Sequence, residues 1–248
     1  MNPRSVLQLL LAFCVSCPEL IGAAKAPGHD TDPMNIPLFA QKGQARFALA
    51  FGQKGEGIHA MGGFALSPSL ALLGAAAYAD HNNCPSCRIS ERRHAELGFG
   101  TYAYSAQSGF HREGFAGLAK GRFKMSGESE WWDPQEGDTR TTGGDYTEFY
   151  LQTELGRAFR WQDWAIASRL AVYRFTDFSV RNGVALETSV PKDPWAVFLE
   201  PGLDYRLGYG PVKIDLQVGL SLPLVQEKEL DNNKIWASLG IGVDVFAP

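Results

Sequence analysis

The sequence predicts an all-β protein, an antiparallel up-and-down transmembrane β-barrel of about ten strands. Three observations predict it. First, "VKIDLQVGLSL" (Val212–Leu222) alternates apolar and polar residues one by one, the period-two signature of a strand whose faces see different surroundings. Second, such segments recur along the body of the chain. They run close to the roughly 9–11 residues a tilted strand needs to cross a bilayer and exceed the ~5–6 usual in globular proteins. Third, the connections between them alternate in kind, short and then long, as in barrels with tight turns on one side and long loops on the other.

The elements follow in order. Arg4 and the apolar run Val6–Ser16 read as an export signal, too short to span a bilayer as a helix. Val15-Ser16 before Cys17 resembles a lipobox, with Cys17 the lipidated first residue of the mature chain. The rival is ordinary cleavage after Gly22-Ala23-Ala24, so the signal occupies residues 1–24. Residues 25–43, with Pro27, Pro33 and Pro37 and no periodicity, read as an extended arm or tether. The barrel is expected over 44–248.

Within it, Ala45–Gly52 alternates Phe47, Leu49 and Phe51 with Arg46, Ala48 and Ala50. Gly57–Leu66 puts Ile58, Ala60, Gly62 and Phe64 on one face. Leu70–Asp80 is ambiguous by periodicity, so eight strands remain an option. Glu91–Ala103, Arg112–Met125, Asp145–Gly156, Asp163–Phe175, Trp195–Tyr205, Val212–Leu222 and Lys234–Phe246 complete ten. Connections 67–69, 104–110, 158–162 and 206–211 are short. Those at 81–90, 126–144, 176–194 and 223–233 are long and polar, and only 53–56 breaks the pattern.

A soluble barrel, such as a lipocalin-like ligand carrier, would turn the apolar faces inward; a membrane barrel turns them out. The polar faces favour the second. Arg46, His94, Glu96, Arg112, Glu148, Glu154, Arg169, Glu200 and Asp215 alternate with Gly, Ala and Ser, as a narrow lumen filled by ion pairs requires. Val212, Ile214, Leu216, Val218 and Leu220 are then expected to face lipid. Trp131, Trp132, Tyr146, Trp161, Trp164, Trp195, Tyr205, Tyr209 and Trp236 fall near strand ends, where interfacial girdles belong. The last strand ends at Phe246, like the terminal signal read by the barrel-assembly machinery.

Composition agrees. The 248 residues carry a formal net charge of −4, 27 Gly and 12% aromatics. Nothing calls for nucleic acid, and no later apolar run is long enough for a transmembrane helix.

At Asn35-Ile36-Pro37-Leu38-Phe39, followed by Lys42-Gly43, the chain resembles small outer-membrane β-barrel proteins of the Bacteroidetes, often lipoproteins, in which a similar arm leads into the barrel. The resemblance implies fold and a bacterial outer-membrane location. It carries no catalytic residues and no cofactor.

Candidate chemistry is sparse. In "HNNCPSC" (His81–Cys87) an exposed loop disulfide between Cys84 and Cys87 is the plain reading. A metal site would need ligands such as His81 and His94, and a redox dithiol would need a helix N-terminus. His94 and Glu96 share a strand face near Ser90 and Glu91, the nearest approach to an acid–base pair, but a satisfied lumen pair explains them as well. Ser126–Asp145, acidic and Gly-rich with two Trp, suits a solvated outer loop, or calcium or glycan contact. The expected role is non-enzymatic: structural, adhesive or partner-binding through the outer loops. The alternatives are a narrow solute pore or an outer-membrane hydrolase.

Overall fold

The computed structural model describes residues 33–52, 57–80, 89–128, 139–182, 185–186, 193–226 and 235–245. Cys17, Cys84, Cys87, Trp131, Trp132 and Phe246 lie outside the described residues. Among the described residues the strands are β1 (Ala45–Gly52), β2 (Ile58–Ala65), β3 (Leu70–Asp80), β4 (Ile89–Ser105), β5 (Phe110–Glu128), β6 (Thr139–Ala158), β7 (Gln162–Asn182), β8 (Ala185–Leu186), β9 (Trp195–Tyr209), β10 (Val212–Leu220), β11 (Leu222–Gln226) and β12 (Ile235–Val245). Ten of them close a barrel, every neighbouring pair antiparallel. β1 through β7 follow in sequence order, β7 pairs with β9, β9 with β10, β10 with β12, and β12 returns to β1. β8 is a brief return along β7. β11 carries the line of β10 past Ser221 and pairs with β9. Leu70–Asp80 is a full strand, paired along its length with β2 and β4.

The alternation sets the faces. On β10, Ile214 is 54% exposed while Lys213 is 8% and Asp215 3%. On β12, Leu239, Ile241, Val243 and Val245 point out while Trp236, Ser238 and Asp244 point in. Phe47, Leu49, Leu97, Leu118, Phe149, Leu151 and Ile166 extend this outer surface around the wall. An exposed apolar surface so continuous is foreign to a soluble monomer; with a polar interior, it is the architecture of outer-membrane-type barrels.

The short turns gather at one end, the turn end. Gly210 there has a φ of 69° and precedes Pro211, matching the Gly-first pattern of a two-residue hairpin turn that a Cβ would oppose. Clusters of arginine on aromatic rings mark both rims. Arg157 lies 5.5 Å from the Phe110 ring centroid and 4.7 Å from that of Phe159. Arg160 lies over Tyr209, and at the opposite, loop end Arg174 lies over Trp195. Tyr146 and Trp236 are not part of these girdles: both rings are buried in the lumen.

β4 to β7 run 17, 19, 20 and 21 residues, well past the roughly 9–11 that crossing requires. Near the loop end of β7, Asp177 takes a φ of 52°, and the β6–β7 register slips between Gly143 and Asp145. This bulge shifts the strand's parity, so Phe175 and then Phe178 both turn inward.

Several interior glycines are seats for rings. A Cβ on Gly117 would lie 2.4 Å from the Tyr150 ring, and one on Gly121 would lie 2.4 Å from the Tyr146 ring. Gly117→Leu is therefore expected to destabilise the barrel by about 1–3 kcal/mol through overpacking. Gly74→Ala, whose new Cβ would meet nothing closer than 3.7 Å, is the neutral control. Urea midpoints of the heat-modifiable gel band measure both.

Candidate functional site

The lumen holds nearly all the buried chemistry, in successive levels. Nearest the turn end, Arg46 bridges Asp215 at 2.5 Å and Asp244 at 3.2 Å. Arg206 pairs with Asp204 at 2.6 Å and approaches Asp215 at 3.6 Å. Lys213 is paired with Asp163. All of these side chains are buried. Charges cut off from water need partners of this kind, because an uncompensated one is costly.

The next level holds the N-terminal arm, which is neither tether nor free linker over the residues described. Met34, Asn35, Ile36, Leu38 and Phe39 lie inside the barrel, each at most 4% exposed. The lumen grips the arm's main chain. The Gln217 amide donates to the Met34 carbonyl and that of Gln152 to the Asn35 carbonyl, each at 3.0 Å. Arg206 donates to the Ile36 carbonyl. The Glu113 carboxylate accepts from the Leu38 amide at 3.2 Å and from the Phe39 amide. A ring nitrogen of His111 lies 3.0 Å from the Phe39 carbonyl. Asn35 donates from Nδ2 to the carbonyls of Gly62 and Gly74.

Above the arm sits Arg169. It reaches Glu96 at 3.1 and 3.4 Å, Gln152 Oε1 at 2.9 Å and Glu148 at 3.7 Å. Its guanidinium stands 4.3 Å from the Tyr150 ring centroid, and Glu200 lies opposite it in the β7–β9 register. His94 Nε2 is 3.6 Å from Glu96, and Nδ1 is 2.8 Å from the Tyr146 hydroxyl. The loop end of this interior is aromatic: Phe123, Tyr146, Tyr173, Phe175, Phe178 and Phe198 pack ring on ring.

Of the polar residues expected in the lumen, Arg46, His94, Glu96, Glu148, Glu154, Arg169, Glu200 and Asp215 are buried there. Arg112 is not. It points outward and Glu113 takes the inward position. The reason is local: the Arg112 face of β5 reads Gly114, Ala116, Leu118 and Lys120, and the other face Phe115, Gly117 and Ala119. Neither is clearly polar, so only the ladder fixes the phase. Arg206, Gln152 and Gln217 act at the site as well. Each stands on an inward face in strict alternation, the signal that identifies them.

Glu96, His94 and Tyr146 form a proton-capable chain, but it is buried, with its Tyr146 end inside the aromatic cluster. Ser90 and Glu91 lie four and three residues before His94 on β4, and Glu91 pairs with the outward Arg93 at 3.2 Å instead of joining the chain. Among the described residues no group of three or more His, Cys, Asp or Glu is arranged to hold a metal ion.

No protein-family model matches the chain, and neither does any curated protein sequence. Among solved structures the chain is similar to the translocator domain of the autotransporter NalP from Neisseria meningitidis, at 11% identity and a TM-score of 0.37, covering 81% of this chain and 86% of that one. It is also similar to LpxR from Salmonella typhimurium, at 8% identity and a TM-score of 0.36, covering 82% and 100%. OmpT (in-vitro folded), an outer membrane protein of Vibrio cholerae, aligns at 10% identity and a TM-score of 0.17, covering 82% and 96%. At such identities and scores none of their residues or activities carries over.

Proposed function

We propose that the protein is a barrel of the bacterial outer membrane with a non-enzymatic envelope role, acting through the surface at its loop end rather than through its lumen. The filling of the lumen supports this reading. The arm, the Arg169 network and the aromatic cluster succeed one another along the axis, each buried, and ten strands enclose too little space for a wide channel around them. The loop end offers the surface. There the outer faces of the long strands β4 to β7 change from aliphatic to charged, with Arg93, Lys120, Arg122, Lys124 and Arg174 exposed. Arg122 holds Asp145 through two contacts of 2.6 and 3.1 Å.

In this reading the apolar belt lies in hydrocarbon and the arginine–aromatic clusters lie at the two interfaces. The assembly machinery reads the C-terminal sequence that includes Phe246, and Cys17 carries a lipid, like the arm-bearing lipoproteins the sequence resembles. The enclosure of His94 supports a role without hydrolysis.

Purified full-length protein in planar bilayers is the test. No discrete conductance steps are expected, and stable unitary steps would make the protein a pore. Hydrolysis of lipid A or of peptides that His94→Ala removes would make it an enzyme.

A further inference from the structure

The side chains that hold the arm are inward residues of the barrel wall, and they read main chain. Gln217, Gln152 and Arg206 donate to three successive carbonyls, those of Met34, Asn35 and Ile36. Glu113 takes the adjacent amides of Leu38 and Phe39, and His111 meets the Phe39 carbonyl. These five residues come from β5, β6, β9 and β10, so the grip spans the lumen. Only Asn35 adds a polar side-chain contact among the arm's buried residues. Contacts to the main chain fix an extended course and leave the choice of sequence to the seats for side chains, which is how proteins hold extended peptides in general.

Two further features make this a built site. The wall is cut away where the arm's apolar side chains seat: a Cβ on Gly156 would lie 2.6 Å from Leu38 Cδ2, and one on Gly63 would lie 2.8 Å from Phe39 Cζ. Phe39 also packs against Tyr102 at 5.6 Å between centroids. Leu38 itself holds a φ of 56°, a conformation uncommon outside glycine. That turn aims two consecutive amides at one carboxylate, the geometry of an anion nest, and the anion is Glu113. Strained backbone of this kind persists where the surroundings over-determine it.

We propose that the turn-end half of the lumen is a binding site for an extended, largely apolar peptide, filled at rest by this chain's own residues 33–40 and able to take a competing segment when the arm leaves. The arm is then a resident ligand rather than part of the wall. This goes beyond the non-enzymatic reading: a barrel silent in bilayers is equally consistent with a fixed plug, so the two can fail separately.

The test uses the full-length chain with Leu38→Asp and Phe39→Asp together, which unseats the arm and leaves every wall residue that grips it unchanged. The probe is a fluorescent synthetic peptide of residues 31–42, and heat-modifiability on gels certifies the fold. The expected result is saturable binding to the variant and none to the wild type, with a scrambled peptide of the same composition at least about tenfold weaker. A photo-crosslinker at the peptide position of Phe39 is expected to attach to β4 and β5 beside Tyr102 and Phe115. A folded variant that ignores the peptide, binds the scrambled one equally well or crosslinks only on the outer surface overturns the proposal. Should the two aspartates block assembly, Leu38→Ala with Phe39→Ala removes the same filling without adding charge and is judged by the same outcomes.

Discussion

Arg169→Leu is expected to be the most damaging single substitution in the wall, lowering stability by about 3–5 kcal/mol, the usual result of deleting one partner of a buried charge network. The size follows from what the guanidinium leaves behind. Its side chain is 2% exposed and touches Glu96, Glu148 and Gln152 while lying over Tyr150. Leucine would leave Glu96 and Glu148 facing each other, with Glu200 across the ladder and no cation between them. A carboxylate stranded in this way costs far more than the lost contacts themselves. Arg169→Lys is expected to fall between leucine and wild type, since it keeps the charge but loses the planar fork and the stacking on the ring.

Two comparisons separate this account from simple loss of volume. Adding Glu96→Gln and Glu148→Gln to Arg169→Leu removes the stranded charges, so the triple variant is expected to recover part of the loss, a coupling that additive packing effects would not produce. Asp145→Asn breaks a shorter ion pair, the 2.6 Å contact with Arg122, but Arg122 is 60% exposed, so the cost is expected to stay below about 1 kcal/mol. Urea unfolding in lipid vesicles, followed by the heat-modifiable gel band, reads all four variants against wild type. If Arg169→Leu unfolds at the same urea concentration as wild type, the network contributes nothing to holding the wall together.

The wall was legible in the sequence where one face of a strand is aliphatic and the other is charged or small. β10, β12, β1 and β6 each show this, and their phases follow from alternation alone. β5 does not, because both faces mix glycine, alanine and single charges, and Arg112 and Glu113 are equally plausible inward residues until the ladder with β4 and β6 decides. Tyr146 and Trp236 misled for a related reason: an aromatic near a strand end suits a girdle, but these two share a strand face with the lumen residues Glu148 and Ser238. The many glycines suggested a narrow interior; the structure adds that they are seats for Tyr150, Tyr146 and Trp236. The arm was the least legible part. Its partners are single side chains far along the chain, as distant as the 183 residues between Met34 and Gln217. No ladder or periodicity links such positions, so prolines and irregular composition read as a tether.

Leu97→Arg decides what covers the outer face. Leu97 is 67% exposed and sits mid-belt on β4, opposite Leu118 of β5 and Gly74 of β3 and next to Phe99 on its own outward face. In water, replacing so exposed a leucine by arginine would shift stability by at most about 0.5 kcal/mol. In a bilayer the same arginine must desolvate or drag its head towards an interface, and near the midplane of a barrel this costs about 2–4 kcal/mol. Ser105→Arg, on the same strand at the turn end, would place its charge beside the headgroups and is expected to cost roughly 0–1 kcal/mol. The depth dependence is the diagnostic, because a merely intolerant strand would not grade its response from Ser105 to Leu97. Unfolding in vesicles should therefore show a large loss for Leu97→Arg and little for Ser105→Arg. Equal and small effects at both sites would mean that water or another protein surface, not lipid, lies against the belt, and the membrane reading would fall with them.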